Sequence, residues 1–225
     1  MISVLSVVHD TMVDGPGFRT SIYCAGCPNH CPECHNPQSW DINHGTMTST
    51  EELMKEIMDD PFANVTFSGG DPMFQAEGFA ELARAIRQQS DKTIWCFTGF
   101  LFENLVKNPA QLELLKLIDV LVDGPYQKDK RDTDLFFRGS SNQRILPVKK
   151  SLQEGRVVSI PLPPPTPPPV LCFPPARASA SFFLPFFSPP ASSPLLPRAP
   201  PCVPCPVAGS RRCPLPLPGL LSPPR

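Results

Sequence analysis

Four cysteines stand in the stretch CAGCPNHCPECHNPQSW, at Cys24, Cys27, Cys31 and Cys34, and the only other cysteine of residues 1–160 is Cys96. Thiols at this density do one of a few things. A tetrahedral zinc site with four thiolates is chemically sound, but its two C-x-x-C knuckles normally lie roughly a dozen or more residues apart. Here three residues separate the pairs, which leaves little chain for two opposed turns. A ferredoxin-type run is C-x2-C-x2-C-x3-C-P, and this chain matches neither that order nor its final proline. A third reading sets Cys24 aside as a small, easily buried residue at a strand end. What remains is Cys27-x3-Cys31-x2-Cys34, followed by His35 and Asn36. Three thiolates on one loop can bind three irons of a [4Fe-4S] cube and leave the fourth iron without a protein ligand. An open iron serves a reactive cluster and is a liability in an electron carrier.

The second chemical signal is TFSGGDP, Thr66–Pro72. A double glycine after a strand can be a plain turn, and it also lets a ligand approach the backbone within hydrogen-bonding distance. Asp71 is placed either to cap the next helix or to orient this loop, and we read the loop role first. The elements that must carry these residues follow from periodicity. Strands are expected at Ile2–Val8, Thr20–Cys24, in ANVTFSGG, in KTIWCFTG and in DVLVDG. Helices are expected after a Ser49-x-x-Glu52 capping box, ending before Pro61, and over Gln75–Gln89. LFENLVK, AQLELLKLI and VKKSLQEG are shorter helices, the last stopped by Gly155. Strand–helix–strand repeats of this kind imply an α/β fold with a mostly parallel sheet. The units are too few for a full eight-fold barrel, so the expected architecture is an open, partial (βα) barrel. Ligands sit beyond the carboxyl ends of such strands. The cysteine loop after Cys24, Gly69–Gly70 after Phe67, and Gly99 after Phe97 all fall at that edge.

Composition divides the chain in two. Residues 1–160 hold all 21 acidic residues and fifteen of the 20 basic ones, a formal charge of −6. Residues 161–225 hold 23 of the 32 prolines, five arginines, no lysine and no acid. The first part is read as one globular domain large enough to bury a core. It opens MISVLSVVHD, without a basic n-region ahead of an apolar run, so a cytoplasmic location is expected, with no membrane span. A reducing compartment disfavours disulfides in the cysteine cluster. An acidic domain also argues against nucleic acid as a partner, since phosphate binding leans on a Lys/Arg surplus. The second part has proline every two or three residues and is expected to be a disordered, low-complexity tail. Its Cys202-x-x-Cys205 lacks a second ligand pair, and the absence of acids fits a read-through or frame-shifted end.

With these residues in hand, the chain resembles the activating proteins of anaerobic ribonucleoside-triphosphate reductase, small members of the radical S-adenosylmethionine superfamily. The resemblance rests on VDGPGFRTSIYCAGCPNHCPECHNPQSW, TFSGGDP, IWCFTGF, VLVDGPY and FRGSSNQRI, in that order, and excludes the tail. It implies that Cys27, Cys31 and Cys34 ligate a [4Fe-4S] cluster and that S-adenosylmethionine lies against Glu33, Cys34, His35, Gly69, Gly70 and Asp71. It further implies reductive cleavage of the sulfonium to methionine and a 5′-deoxyadenosyl radical. That radical would take a hydrogen atom from a backbone glycine of the large reductase subunit, with a reduced flavodoxin- or ferredoxin-like protein as electron donor. An activase of another glycyl-radical enzyme, such as pyruvate formate-lyase, shares this chemistry. A non-catalytic iron–sulfur carrier would instead use Cys24 as a fourth ligand. Asp123–Gly124, Arg138 and Asn142–Arg144 are read as either contacts or capping segments, Gly15–Gly17 as a turn shaping the site's mouth, and Trp95 and Phe97 as core.

Overall fold

Alternation along each central strand gives the sheet two unlike faces, and this division positions everything else. The computed structural model describes residues 1–160; the Pro-rich segment 161–225, with its Cys202–Cys205 pair, lies outside the described residues. The elements run β1 (Ile2–Thr11), β2 (Arg19–Cys24), β3 (Thr46–Thr48), α1 (Thr50–Asp59), β4 (Asn64–Gly69), α2 (Ala76–Gln89) and β5 (Ile94–Phe97). They continue with α3 (Phe102–Leu105), α4 (Pro109–Leu115), β6 (Val120–Asp123), β7 (Arg144–Pro147) and α5 (Val148–Glu154). Ser49 caps α1 through the expected reciprocal pair, its hydroxyl accepting from the Glu52 N–H while the Glu52 carboxylate accepts from the Ser49 N–H. Gly155 closes α5 in the left-handed conformation that a side chain disfavours.

All seven strands join one open sheet in the order β3-β1-β2-β4-β5-β6-β7. β2, β4, β5 and β6 run parallel, whereas β1 pairs antiparallel with β2 and with β3, and β7 antiparallel with β6. The sheet is therefore mixed, not mostly parallel as the repeats predicted. The reason is connection length. Only Met12–Phe18 separate β1 from β2, and a parallel crossover needs a dozen or more residues. Two strands escaped the periodicity argument altogether. β3 has three residues, and β7 is RILP, whose proline is tolerated because β7 is the last strand of the sheet.

One face carries Ile22, Cys24, Val65, Phe67, Ile94, Cys96, Leu121 and Leu146 against side chains from all five helices, including Leu53 and Ile57 of α1 and Phe79, Leu82 and Ile86 of α2. Phe67 and Phe79 meet with ring centroids 4.8 Å apart at the middle of this core. The opposite face is polar and aromatic. Buried Arg19 donates to the hydroxyl of Thr66 at 2.6 Å and to the carbonyls of Val65 and Thr93 at 2.5 and 3.1 Å. Its guanidinium lies 5.5 Å from the Trp95 ring centre, and burial lowers its pKa to about 10. The Asp14 carboxylate accepts from Ser21 at 2.9 Å and from the Tyr23 hydroxyl. Trp95, Val122 and Ile145 form a small separate apolar cluster there, flanked by Phe97 and Phe137. The Gly15–Gly17 turn precedes Arg19, at the opposite end of β2 from the cysteine loop, so it does not shape the mouth of that loop's site. Among the described residues no helix is long and apolar enough to cross a membrane.

Because the apolar face holds the fold and the cap only trims one helix end, their substitutions should differ in size. Phe79→Ala is expected to cost about 3–5 kcal/mol and Ser49→Ala about 1 kcal/mol, read from urea denaturation of the full chain. Equal losses would show that the Phe67–Phe79 contact is not central to the core.

Candidate functional site

β2 ends at Cys24, and its alternation decides which cysteines reach the edge. Cys24 lies on the helix-covered face, fully buried beside Ile22 and Phe67, and burial pushes its thiol well above the ordinary range. Cys96 is buried on the same face. Beyond β2 the chain leaves the sheet, and Cys27, Cys31 and Cys34 are all half-buried on one loop. The loop is anchored at both ends: Gly26 N–H donates to the Ser39 carbonyl at 2.7 Å and Cys27 N–H to the Trp40 carbonyl at 3.0 Å. Its backbone turns through positive φ at His30 (43°) and Glu33 (54°), which are uncommon values for side-chain-bearing residues.

The strand end of β4 supports this loop from below. Gly70 N–H donates to the Cys24 carbonyl at 2.7 Å, and Asp71 N–H to the Gly26 carbonyl at 2.8 Å. A Cβ at Gly70 would stand 2.5 Å from the Gly26 oxygen, and one at Gly69 (φ 99°) 2.4 Å from the Cys24 nitrogen. The double glycine is thus needed for close approach of the two loops. The Asp71 carboxylate is fully buried and accepts four hydrogen bonds. Met73 N–H at 3.0 Å and the Thr98 hydroxyl at 2.8 Å reach one oxygen; Asn29 Nδ2 at 3.0 Å and Gly99 N–H at 2.9 Å reach the other. Burial outweighs these donors and raises its pKa to about 6. Both roles expected of Asp71 are present, since it caps the short turn of helix at Pro72–Gln75 and orients the loop.

Two of the three loop thiols, Cys27 and Cys34, accept a hydrogen bond from an N–H group. Asn29 Nδ2 lies 3.7 Å from the Cys27 sulfur and Asn36 N–H 3.4 Å from the Cys34 sulfur, while the Tyr126 backbone N–H faces Cys31. Burial raises the Cys27 and Cys31 thiols above the ordinary value, and N–H groups, first those of the Asn29 and Tyr126 backbones, offset only part of that rise. N–H groups aimed at sulfur stabilise thiolate, the form that binds metal. Among the described residues, no group of three or more His, Cys, Asp and Glu side chains is gathered tightly enough to hold a single metal ion. In a [4Fe-4S] cube each thiolate binds a different iron, so the ligands need not converge on one point, and the three loop thiols fit three of its irons on their chemistry.

A cavity of about 510 Å³ opens beside the loop on the polar face of the sheet. Its walls include Cys34, His35 and Asn36 from the loop, Ser68 and Gly69 from β4, Tyr23, Phe97, Tyr126 and Gln143. Of the residues predicted to hold a cofactor, Cys34, His35 and Gly69 face this space. Gly70 and Asp71 lie beneath the loop. Glu33 is exposed and ion-paired with Lys128, and His35 meets Tyr126 edge-on with ring centres 5.5 Å apart. Phe97, expected in the core, packs on the small Trp95 cluster and also walls the cavity. Asp123 is fully buried, accepts Phe102 N–H at 2.8 Å and is gripped by Arg144, which also binds Glu103. This group therefore secures α3 and β7. Gln143 holds Gly139 N–H at 2.9 Å and the Gly124 carbonyl at 3.1 Å, and Arg138 donates to the Gln143 carbonyl at 3.0 Å. Asn29, Tyr126 and Tyr23 went unnoticed in the sequence. Only Asn29, inside the C-x3-C interval, carried a positional hint.

Residues 13–146 match the family model described as "4Fe-4S single cluster domain". The anaerobic ribonucleoside-triphosphate reductase-activating protein of Escherichia coli (strain K12) is 35% identical over 142 residues, which cover 60% of this chain and 91% of that protein. The protein of the same name from Enterobacteria phage T4 is 34% identical over 139 residues, 59% of this chain and 86% of its own length. That of Vibrio cholerae is 34% identical over 142 residues, 60% and 90% respectively. On the matched span and on the loop, strand ends and cavity described above, the chain belongs to the 4Fe-4S single-cluster family and, within it, to the anaerobic ribonucleoside-triphosphate reductase-activating proteins.

Proposed function

We propose that this chain is a radical S-adenosylmethionine enzyme that installs a glycyl radical on the large subunit of an anaerobic ribonucleoside-triphosphate reductase. The observation that carries the proposal is the separation of one buried cysteine, Cys24, from three half-buried ones, Cys27, Cys31 and Cys34, beside a cavity of about 510 Å³. When bound there, a [4Fe-4S] cluster would supply the electron that splits the sulfonium of S-adenosylmethionine, and the radical so released would take hydrogen from the glycine. The working unit of the proposal is residues 1–160, an incomplete (βα) barrel in the reducing cytoplasm, with a flavodoxin- or ferredoxin-like protein as electron donor.

The chain's own residues bind and orient. Cys27, Cys31 and Cys34 hold the cluster, with the N–H groups of Asn29, Tyr126 and Asn36 directed at their sulfurs. His35 and the strand-end Gly69, which line the cavity, are assigned to the cofactor's methionine end, and Phe97 and Tyr126 offer apolar wall to the rest. Asp71 touches neither; it keeps the loop at one height over the sheet through Asn29 and Gly99. The side of the sheet opposite the helices stays free for this space, which is open to solvent, so exclusion of water would fall to the bound cofactor and the reductase.

Anaerobically reconstituted protein should bind about four irons per chain, release 5′-deoxyadenosine with dithionite and S-adenosylmethionine, and give a glycyl-radical EPR signal when mixed with an anaerobic reductase. Bound zinc with no 5′-deoxyadenosine would overturn the proposal. Cys24→Ala is expected to keep the cluster absorbance and Cys31→Ala to lose it; equal loss from both would favour a four-thiolate carrier. Asp71→Asn turns one acceptor oxygen into a donor facing N–H and O–H groups, a cost of about 1–3 kcal/mol. It should lower the thermal midpoint and the iron retained per chain, and an unchanged iron content would show that the loop does not depend on this carboxylate.

A further inference from the structure

Among the described residues, Asn29 is the one side chain that touches both the cysteine loop's sulfur and the buried carboxylate beneath it. Its Nδ2 carries two hydrogens and has two partners, Asp71 Oδ2 at 3.0 Å and the Cys27 sulfur at 3.7 Å. Gly99 makes room for it: a Cβ there would stand 2.3 Å from Asn29 Nδ2 and 2.7 Å from its Cγ, and the next nearest atom is again Asn29's. Gly99 also gives its own N–H to the same Asp71 oxygen at 2.9 Å. The carboxamide is thus fixed from three sides, by Asp71, by the Gly99 backbone and by the loop that bears it.

We propose that Asn29 is a positioning residue that sets the electron affinity of the metal centre, by holding one amide hydrogen on the Cys27 sulfur. The inference rests on the cluster reading above. A hydrogen bond to a ligating thiolate withdraws electron density from the iron and favours the reduced, more negative state. Removing the amide therefore lowers the potential. Asn29 is half-buried and is not a ligand, so its replacement removes no thiolate, while it also cuts the loop's contact with Asp71.

The test uses the reconstituted full chain. Iron and absorbance are measured first, then the midpoint of the one-electron step from the 2+ to the 1+ cluster, poised with dithionite and read by EPR. Asn29→Leu should lose iron as Asp71→Asn does, and its iron-bearing fraction should show the midpoint at more negative potential. Asn29→Gln, which retains a carboxamide donor, should recover part of that shift. Gly99→Ala leaves the cysteine loop's sequence intact and displaces only the Asn29 side chain, so it should shift the midpoint in the same direction and serves if Asn29→Leu loads poorly. A cluster-bearing Asn29→Leu and Gly99→Ala with the parental midpoint would overturn the proposal, as would equal shifts from Leu and Gln. Failure of the parent chain itself to take up iron would instead bring down the cluster reading, and this inference with it.

Discussion

A single buried carboxylate joins the parts of this protein that chemistry needs together. Asp71 sits just past the end of β4, accepts from the following turn through Met73, from the end of β5 through Thr98 and Gly99, and from the cysteine loop through Asn29. A carboxylate with no exposure is costly unless its lone pairs are filled, and filling them requires all three segments to be in place. The interaction is thus conditional: the loop, the glycine turn and β5 are ordered together or the charge is stranded. Its pKa of about 6 indicates that the donors do not fully offset the desolvation. A neutral residue of like shape would avoid that penalty but would not collect four donors on two oxygens.

The same economy governs the sheet. Every helix contributes to one face, where Phe67, Phe79 and their neighbours supply the apolar burial that holds the fold. The other face is left with polar side chains, and those at its centre are paired: Arg19 reaches Thr66 and two carbonyls, and Asp14 reaches Ser21 and Tyr23. Such a face cannot collapse on itself as an apolar one would. It keeps a space of about 510 Å³ at the end where the parallel strands stop, which is where open α/β sheets place their ligands.

Much of this was legible from the amino-acid order. Val65, Phe67, Ile94 and Cys96 alternate with polar or aromatic residues, and the capping box at Ser49 announces α1 directly. The convergence of the cysteine loop, Gly69–Gly70 and Gly99 at one edge also follows from strand ends alone. Pairing direction was the weaker inference. The β1–β2 hairpin is dictated by a seven-residue turn that strand–helix repeats overshadow, and β3 and β7 are too short, or too proline-marked, to show a period. Phe97 packs on the small Trp95 cluster, as a core reading expects, and also walls the cavity; which face a strand residue occupies depends on register. Asn29 could not be found by pattern, because its role depends on a carboxylate 42 positions away.

The number of available thiols follows from strand geometry. β2 delivers Ile22 and Cys24 to the helix-covered face and Ser21 and Tyr23 to the other, so Cys24 is committed to the core before the chain leaves the sheet. Bringing its sulfur to the loop would require a one-residue slip of β2. Such a slip would reverse every side chain of that strand and bury Arg19, Ser21 and Tyr23 under the helices. The six-residue parallel register with β4, Arg19 on Asn64 through Cys24 on Gly69, opposes it. A cluster bound by Cys27, Cys31 and Cys34 would therefore be one protein thiolate short for a reason that lies in the sheet rather than in the loop. Under the proposed function, the open coordination position that sulfonium chemistry requires would be a consequence of how β2 is packed.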